Sequence, residues 1–241
     1  MRITRLPAIH HDCNIVVIKG STGNILIDAG TSWYQMLQVE RIIGVLGEEK
    51  LDRILLTSRL YPFAGGAKYI SQSFDNAVVH IHQEGQAALQ TGDFFTTWAN
   101  RYESDMPSVE TSLVEDGEIY ALGDCEVEAI QMNGISTDGM SYYISKENLL
   151  VAGGILVRAD RPCRWDMPGA NLVQIRDNIK KIIAMKLSAI VPMQGPAIKG
   201  KKHIAEVLNR HLDFYQSCIE DDGNPPSSWA RPARSTLWLS P

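Results

Sequence analysis

The segment that decides the fold reads Thr57-Ser58-Arg59-Leu60-Tyr61-Pro62-Phe63-Ala64-Gly65-Gly66. It follows an apolar run at residues 51–56, whose composition predicts a short buried strand. Apolar residues after Gly66 predict a helix, and the paired glycines allow the backbone to turn closely into it. A strand, a loop and a helix in this order are typical of α/β proteins, in which such loops commonly carry functional groups. This loop, however, contains no His, Cys, Asp or Glu.

Four further segments stand in an order that matches a known family. They are LIDAG at residues 26–30, NGISTDGMSYYI at 133–144, LVAGGIL at 150–156 and VPMQGP at 191–196. Together with residues 57–66, this frame resembles the metallo-β-lactamase superfamily from about residue 14 to 215. The resemblance implies an αββα sandwich, in which two mixed sheets pack face to face with helices outside.

The same resemblance locates the positions where that superfamily carries metal-binding residues. In place of His, His, Asp and His, the loop has Ser58, Leu60, Pro62 and Phe63. The later His, Asp and His are replaced by Ile135, Gly154 and Gln194. We call these seven residues the motif positions. The superfamily's Asp also implies a general base for a bound water, and Pro62 cannot supply one.

The chemistry of the motif positions predicts a pocket refilled as core. Catalytic zinc needs about three protein ligands, with donor atoms at about 2.0–2.2 Å. Ser58 offers a single weak hydroxyl donor, whereas burying Leu60, Phe63 or Ile135 gains about 1.5–3 kcal/mol each. A site adapted to a different metal would keep ligand-type side chains. We therefore expect a vestigial pocket without a metal or other cofactor.

Composition and charge limit the other classes of function. Of the 241 residues, 44% are hydrophobic and 21% are charged, which is typical of soluble domains. The net charge of −5 argues against a nucleic-acid partner. No apolar run approaches the roughly 18–20 residues of a membrane span, and the N-terminal residues do not resemble a signal peptide. Four scattered cysteines fit reduced thiols, so a cytoplasmic location is expected.

Apolar periodicity predicts hairpins at residues 14–28, 118–130 and 140–152, helices at 36–46, 172–183 and 204–215, and strands at 77–81 and 189–191. Asn171 is predicted to cap the second of these helices. A second strand set is predicted to begin at Val114, and residues 84–112 to form an insertion over the substrate entrance. We expect one domain over residues 1–219 and a tail over 220–241 that docks or is disordered.

Several residues outside the motif positions are candidates for binding. His80 and His82 alternate on a strand and project from one face, as a relocated metal site would require, although surface or core roles are commoner. Arg164, Trp165 and Asp166 follow the strand end near Gly154. They either bind a ligand at the pocket mouth or pin their own loop through an ion pair and a buried indole.

Two functions from different classes fit these observations. The first is a non-catalytic binding, regulatory or complex-partner protein, pairing with another protein or with itself, for which the superfamily offers precedents. Arg59 and Tyr61, at variable positions of the loop, are its further ligand-binding candidates. The second is a hydrolase of thioesters, lactones or phosphodiesters with an unorthodox or relocated site. We favour the first, because the residues contradict the chemistry that the resemblance implies.

Overall fold

The computed structural model describes residues 1–229 and 232–241. Its two sheets have six strands each. The first has the order β1 (Arg2–Leu6), β2 (Ile15–Lys19), β3 (Asn24–Ile27), β4 (Arg53–Leu55), β5 (Val78–His82) and β6 (Ser112–Val114). The second has the order β12 (Ile198–Lys199), β11 (Ala189–Pro192), β10 (Leu149–Gly153), β9 (Met140–Ile144), β8 (Glu126–Gln131) and β7 (Ile119–Ala121).

Both sheets are mixed. In the first, β1, β2 and β3 pair antiparallel, with Val16 opposite Ile27, and β3 to β6 are parallel. In the second, only β10 and β11 are parallel, with Leu150 opposite Ile190. Parallel neighbours require crossover connections, which the helices supply. The predicted hairpins are confirmed as the β2–β3, β7–β8 and β9–β10 pairs.

Six α-helices in the described part of the chain complete the architecture. They are α1 (Gln35–Leu46), α2 (Tyr61–Ala64), α3 (Ala67–Ser73), α4 (Gln83–Thr91), α5 (Leu172–Ala184) and α6 (Lys201–Glu220). Helix α1 packs on α3 beside the first sheet, and α5 packs on α6 beside the second. Asn171 caps α5 as predicted, because its side chain accepts a 3.0 Å hydrogen bond from the Gln174 amide. Among the described helices, none has the length and apolar character needed to cross a membrane.

The core confirms the predicted αββα sandwich. One apolar cluster is drawn from both sheets, including Val16 and Ile27 from the first and Val127 and Tyr142 from the second. A larger cluster joins the sheets to the helices. Burying one face of each sheet against the other and the second face against helices removes most apolar side chains from water.

Two local predictions were wrong or incomplete. Val114 does not begin the second strand set, because it ends β6, which pairs in parallel with β5 in the first sheet. Strands β1 and β12 were not predicted. Strand β1 is only partly buried and contains the charged residues Arg2 and Arg5, and β12 has two residues, so neither carries a clear hydrophobic pattern.

Residues 232–241 lie against the segment that follows β10. The Arg164 amide donates to the Leu237 carbonyl at 3.0 Å, and the Leu239 amide donates to the Pro162 carbonyl at 2.9 Å. Leu237 is fully buried. The division into a domain at residues 1–219 and a separate tail stays a prediction. Helix α6 ends at Glu220, one residue beyond the predicted boundary.

Candidate functional site

Residues 57–66, which we call the motif loop, leave the first sheet at the carboxyl end of β4. Thr57 is held there by Asp28, whose carboxylate accepts hydrogen bonds from the Thr57 amide at 2.7 Å and from its hydroxyl at 2.9 and 3.0 Å. Complete burial raises the pKa of Asp28 to about 8, although the bonds from Thr57 act in the opposite direction. Behind the loop, a Cβ at Gly66 would clash with the Ala29 carbonyl, which explains the glycine. The frame of the loop is therefore intact.

The apolar motif positions fill the interior beneath this loop. Leu60, Phe63 and Ile135 are each at most 3% exposed and belong to the larger apolar cluster. Gly154 shows how closely they pack: a Cβ added there would overlap the end of the Ile135 side chain, lie 2.7 Å from its Cγ1 and lie 3.6 Å from Phe63 Cζ. Three motif positions from separate segments thus meet at one place, and hydrocarbon occupies it.

The polar motif positions are engaged by the protein itself. Ser58 Oγ lies 3.1 Å from Ser136 Oγ and accepts from the Leu60 amide at 3.2 Å. The Gln194 amide nitrogen donates to the carbonyls of His10 and Asp12, both at 2.8 Å. Both side chains are buried, so their contacts satisfy groups that burial would otherwise leave unpaired.

These residues do not fit the metal centre that the fold implies. Their donor set consists of one hydroxyl and one amide, and Ile135 and Phe63 occupy the place beside Gly154. Within residues 1–229 and 232–241, no group of three His, Cys, Asp or Glu side chains is placed to hold a metal ion. His80 instead lies edge-on to Tyr120, with ring centroids 5.6 Å apart, and His82 accepts from the Glu84 amide. The relocated site at His80 and His82 stays a prediction.

Arg59, a ligand-binding candidate, forms a buried ion pair with Asp138. Arg59 Nη1 donates to Asp138 Oδ1 at 2.5 Å, and the Arg59 amide donates to Oδ2 at 2.5 Å. The side chains are 9% and 0% exposed. Arg59 also donates from Nε to the Thr96 carbonyl at 3.3 Å. The pair connects the motif loop to the 133–144 segment, and few atoms of Arg59 remain accessible to a ligand.

Tyr61, the second loop candidate, lies in an aromatic group. Its ring is 5.3 Å from that of Tyr102 and 5.9 Å from that of Trp33. Its hydroxyl is 2.7 Å from Ser32 Oγ and 2.8 Å from Ser104 Oγ. Burial raises the pKa of Tyr61 despite these bonds. Trp33 is 46% exposed, so a ligand would meet this group through Trp33.

Arg164, Trp165 and Asp166 hold their own loop. Arg164 forms a two-pronged pair with Asp166, at 2.7 Å on both prongs, and the hydrogen bonds and charge of Arg164 lower the pKa of Asp166. Trp165 packs edge-on against Tyr215 at 6.3 Å. The neighbouring Cys163 is buried, which raises its pKa to about 12, so its thiol is protonated at neutral pH.

Sequence reasoning missed two groups. Asp138 lies inside the 133–144 segment, where only the superfamily's His position was considered. Trp98, Arg101 and Arg234 line a cleft beside Arg164, but they come from the irregular insertion and the tail, where no periodicity predicts contacts. Residues 93–104 do cover the motif loop: the Thr97 carbonyl accepts from the Tyr61 amide at 2.8 Å.

Comparisons with known proteins agree with the fold. The profile of the metallo-beta-lactamase superfamily matches residues 9–194. A protein of Aquifex aeolicus (strain VF5), described as uncharacterized, is 23% identical over 173 residues, which cover 71% of this chain and 77% of that protein. A crystal structure of a metallo-beta-lactamase family protein from Thermus thermophilus matches with a TM-score of 0.72 and 14% identity, covering 91% of this chain and 80% of the other.

A second solved structure differs in an informative way. It is a metallo-beta-lactamase from Cronobacter sakazakii (Enterobacter sakazakii) named for a HARLDQ motif, with a TM-score of 0.66 and 17% identity, covering 91% of this chain and 90% of the other. At these identities, the likeness establishes the fold alone. The HARLDQ motif contains a His and an Asp, whereas residues 57–66 of this chain contain neither.

Proposed function

Because this chain belongs to the metallo-beta-lactamase superfamily, we propose that it has lost the metal-dependent hydrolysis of that fold and acts as a binding, regulatory or complex-partner protein. One observation carries the proposal. The space beside Gly154 that a metal and its bridging carboxylate would need is filled by Ile135 and Phe63. Restoring a single ligand would not reopen it, because the two side chains are part of the core.

The buried ion pair supports the same proposal. In a metal-containing site, the ion draws ligands from several loops together. Here the side chains of Arg59 and Asp138 themselves connect the motif loop to the 133–144 segment. The connection is made by side chains that are themselves satisfied, so it holds the loops in place but presents no reactive group to a substrate.

Exposed apolar side chains on helix α1 and just before it support a partner surface there. Trp33, Met36, Leu37 and Ile43 are 46%, 66%, 43% and 48% exposed. Met36 and Ile43 are seven residues apart on α1 and so share one face. Exposed apolar side chains that share a helix face are typical of interaction surfaces. Light scattering after size-exclusion chromatography tests for a homo-oligomer, and Met36→Lys with Ile43→Lys would dissociate one formed through this face.

Metal content and turnover test the loss of hydrolysis. Tag-free protein, purified without chelators, then incubated with zinc or iron and dialysed, is analysed by plasma mass spectrometry. We expect less than about a tenth of an equivalent, because the motif positions do not supply the three protein ligands that a catalytic site needs. Thioester, lactone and phosphodiester substrates should turn over at the uncatalysed rate. Near one equivalent of metal, or turnover that survives repurification, would make a hydrolase the better description.

A further inference from the structure

A cleft outside the motif positions collects positive charge. It has a volume of about 400 Å³ and is lined by residues of the 95–101 segment, by the loop at 164–168 and by Arg234 of the tail. Arg101, Arg164 and Arg234 line it, against a single carboxylate, Asp166. In a chain whose net charge is −5, this local excess of arginine stands out.

The three arginines have different roles. The hydrogen-bond donors of Arg164 are used within the protein: it pairs with Asp166, and its Nη1 donates to the Thr236 carbonyl at 3.1 Å. Arg101 and Arg234 are exposed, and neither enters a salt bridge with any residue in 1–229 or 232–241. Asp166 is paired with Arg164, and the charge of Arg101 makes only a smaller contribution at Asp166. The hydrogen-bond donors of the Arg101 and Arg234 guanidinium groups are thus left to bind an anion.

An aromatic floor fixes the position of one free arginine. Trp98 is 6% exposed, and the guanidinium carbons of Arg101 and Arg164 lie 5.7 and 5.0 Å from its ring centroid. Cation–π contacts of this length hold an arginine in place without using its hydrogen-bond donors. Phe95, which is 65% exposed, and Pro168 add apolar surface to the wall.

We propose that this cleft binds a small organic anion, in which a phosphate or carboxylate adjoins a flat apolar group. The guanidinium fork matches the paired oxygens of either anion, and Phe95 and Pro168 would cover the apolar part. The volume suits a small molecule. A small organic anion would be the ligand of the proposed binding role. The proposal rests on that role only in that the cleft binds the anion without turning it over.

Calorimetry with defined probes tests the site. Phenyl phosphate, benzoate and inorganic phosphate are titrated into the full chain. We expect saturable binding of phenyl phosphate or benzoate, and the stronger of the two identifies the anion. Inorganic phosphate should bind more weakly than phenyl phosphate, because it leaves Phe95 and Pro168 uncovered. Arg101→Gln and Arg234→Gln should each weaken binding about tenfold, the effect of losing one charged hydrogen bond.

The matched control is Arg176→Gln. Arg176 is an arginine of α5 that already pairs with Asp177 at 2.8 Å, far from the cleft in sequence and outside its lining. Because Arg101 and Arg234 are exposed, their variants should unfold at the same temperature as the parent. Absence of saturable binding at millimolar probe, or equal weakening by all three variants, would overturn the proposal.

The two proposals fail in different ways. Phenol release from phenyl phosphate, measured in the same samples, would contradict the loss of hydrolysis. If Arg101→Gln and Arg234→Gln also reduced that release, the cleft would stand as a substrate site. Binding without phenol release, weakened by both variants, supports both proposals together.

Discussion

Removing the carboxylate of Asp138 should destabilise the protein strongly. The side chain is 0% exposed and accepts two hydrogen bonds from Arg59, one from the guanidinium and one from the backbone amide. Asp138→Ala would leave the Arg59 charge, 9% exposed, without its partner. Breaking a buried pair in this way costs about 3–5 kcal/mol, a large part of the roughly 5–15 kcal/mol that keeps a domain folded.

A double-mutant cycle separates the pair from its parts. Arg59→Met removes the charge but keeps an unbranched chain in the same space, and Arg59→Met/Asp138→Ala removes both charges. The double variant should be more stable than the sum of the single losses predicts, by about 1–3 kcal/mol, because neither charge is then left unpaired. It should not recover fully, since the Arg59 amide loses its acceptor at a cost of about 1–3 kcal/mol.

Urea unfolding followed by tryptophan fluorescence and circular dichroism measures these losses. Asp177→Ala provides the matched control, because its pair with Arg176 is at the surface, with side chains 53% and 19% exposed. That control should lose no more than about 1 kcal/mol. If Asp138→Ala costs no more than Asp177→Ala, or if the two single losses simply add, the ion pair does not connect the two segments.

The remaining predictions concern the filled interior, the pH dependence and the tail. Ile135→Ala should lower the free energy of unfolding by about 2–5 kcal/mol by opening a cavity, measured by urea unfolding. Gly154→Ala should cost about 1–3 kcal/mol through overlap with Ile135, and less in the Ile135→Ala background. Burial lowers the pKa of His211 to about 4 in the folded chain, so stability should fall as the pH drops from about 6.5 to about 4, and His211→Gln should flatten this part of the pH profile. A chain ending at Asn224 should melt at a lower temperature in calorimetry, because it lacks the buried Leu237 and Leu239.

Each of these has a distinct contrary result. Equal cost of Gly154→Ala in both backgrounds would mean that Ile135 does not fill the space beside it. The sign for His211 follows from its depressed folded pKa: below about 6.5 the unfolded chain binds the proton and the folded chain does not. An unchanged pH profile in His211→Gln would assign the acid sensitivity elsewhere. A truncated chain with the parental melting temperature would show that the tail contributes no stability.

The frame of the fold was predictable because it depends on patterns that a sequence displays directly. Hairpins, helix periodicity, the Asn171 cap and the order of five landmark segments led to the αββα sandwich. The edge strands β1 and β12 were not predicted, because strands that bury so little surface do not need a strict hydrophobic pattern.

At the site, the sequence predicted only that apolar side chains stand where the superfamily has metal ligands. The apolar residues at Leu60, Phe63 and Ile135 indicated a filled interior, and all three are buried in one apolar cluster. The partner of Arg59 was not predictable, because Asp138 is 79 residues away and a single acidic residue in a loop carries no periodic signal. The cleft beside Trp98 is lined in part by the tail. The tail has the composition of disordered sequence, so its contacts could not be predicted from composition.

The backbone hydrogen bonds that join residues 162–164 to residues 237–239 also have a consequence for the order in which the protein is made. Residues 232–241 leave the ribosome after every strand and helix of the sandwich. The loop at 160–166 therefore receives its last backbone partners only when synthesis of this region is complete, although its neighbouring strands can pair earlier. Until then, Arg164 lacks the Thr236 carbonyl, and the cleft beside Trp98 lacks Arg234. A nascent or prematurely terminated chain would have the sandwich but an unfinished anion cleft.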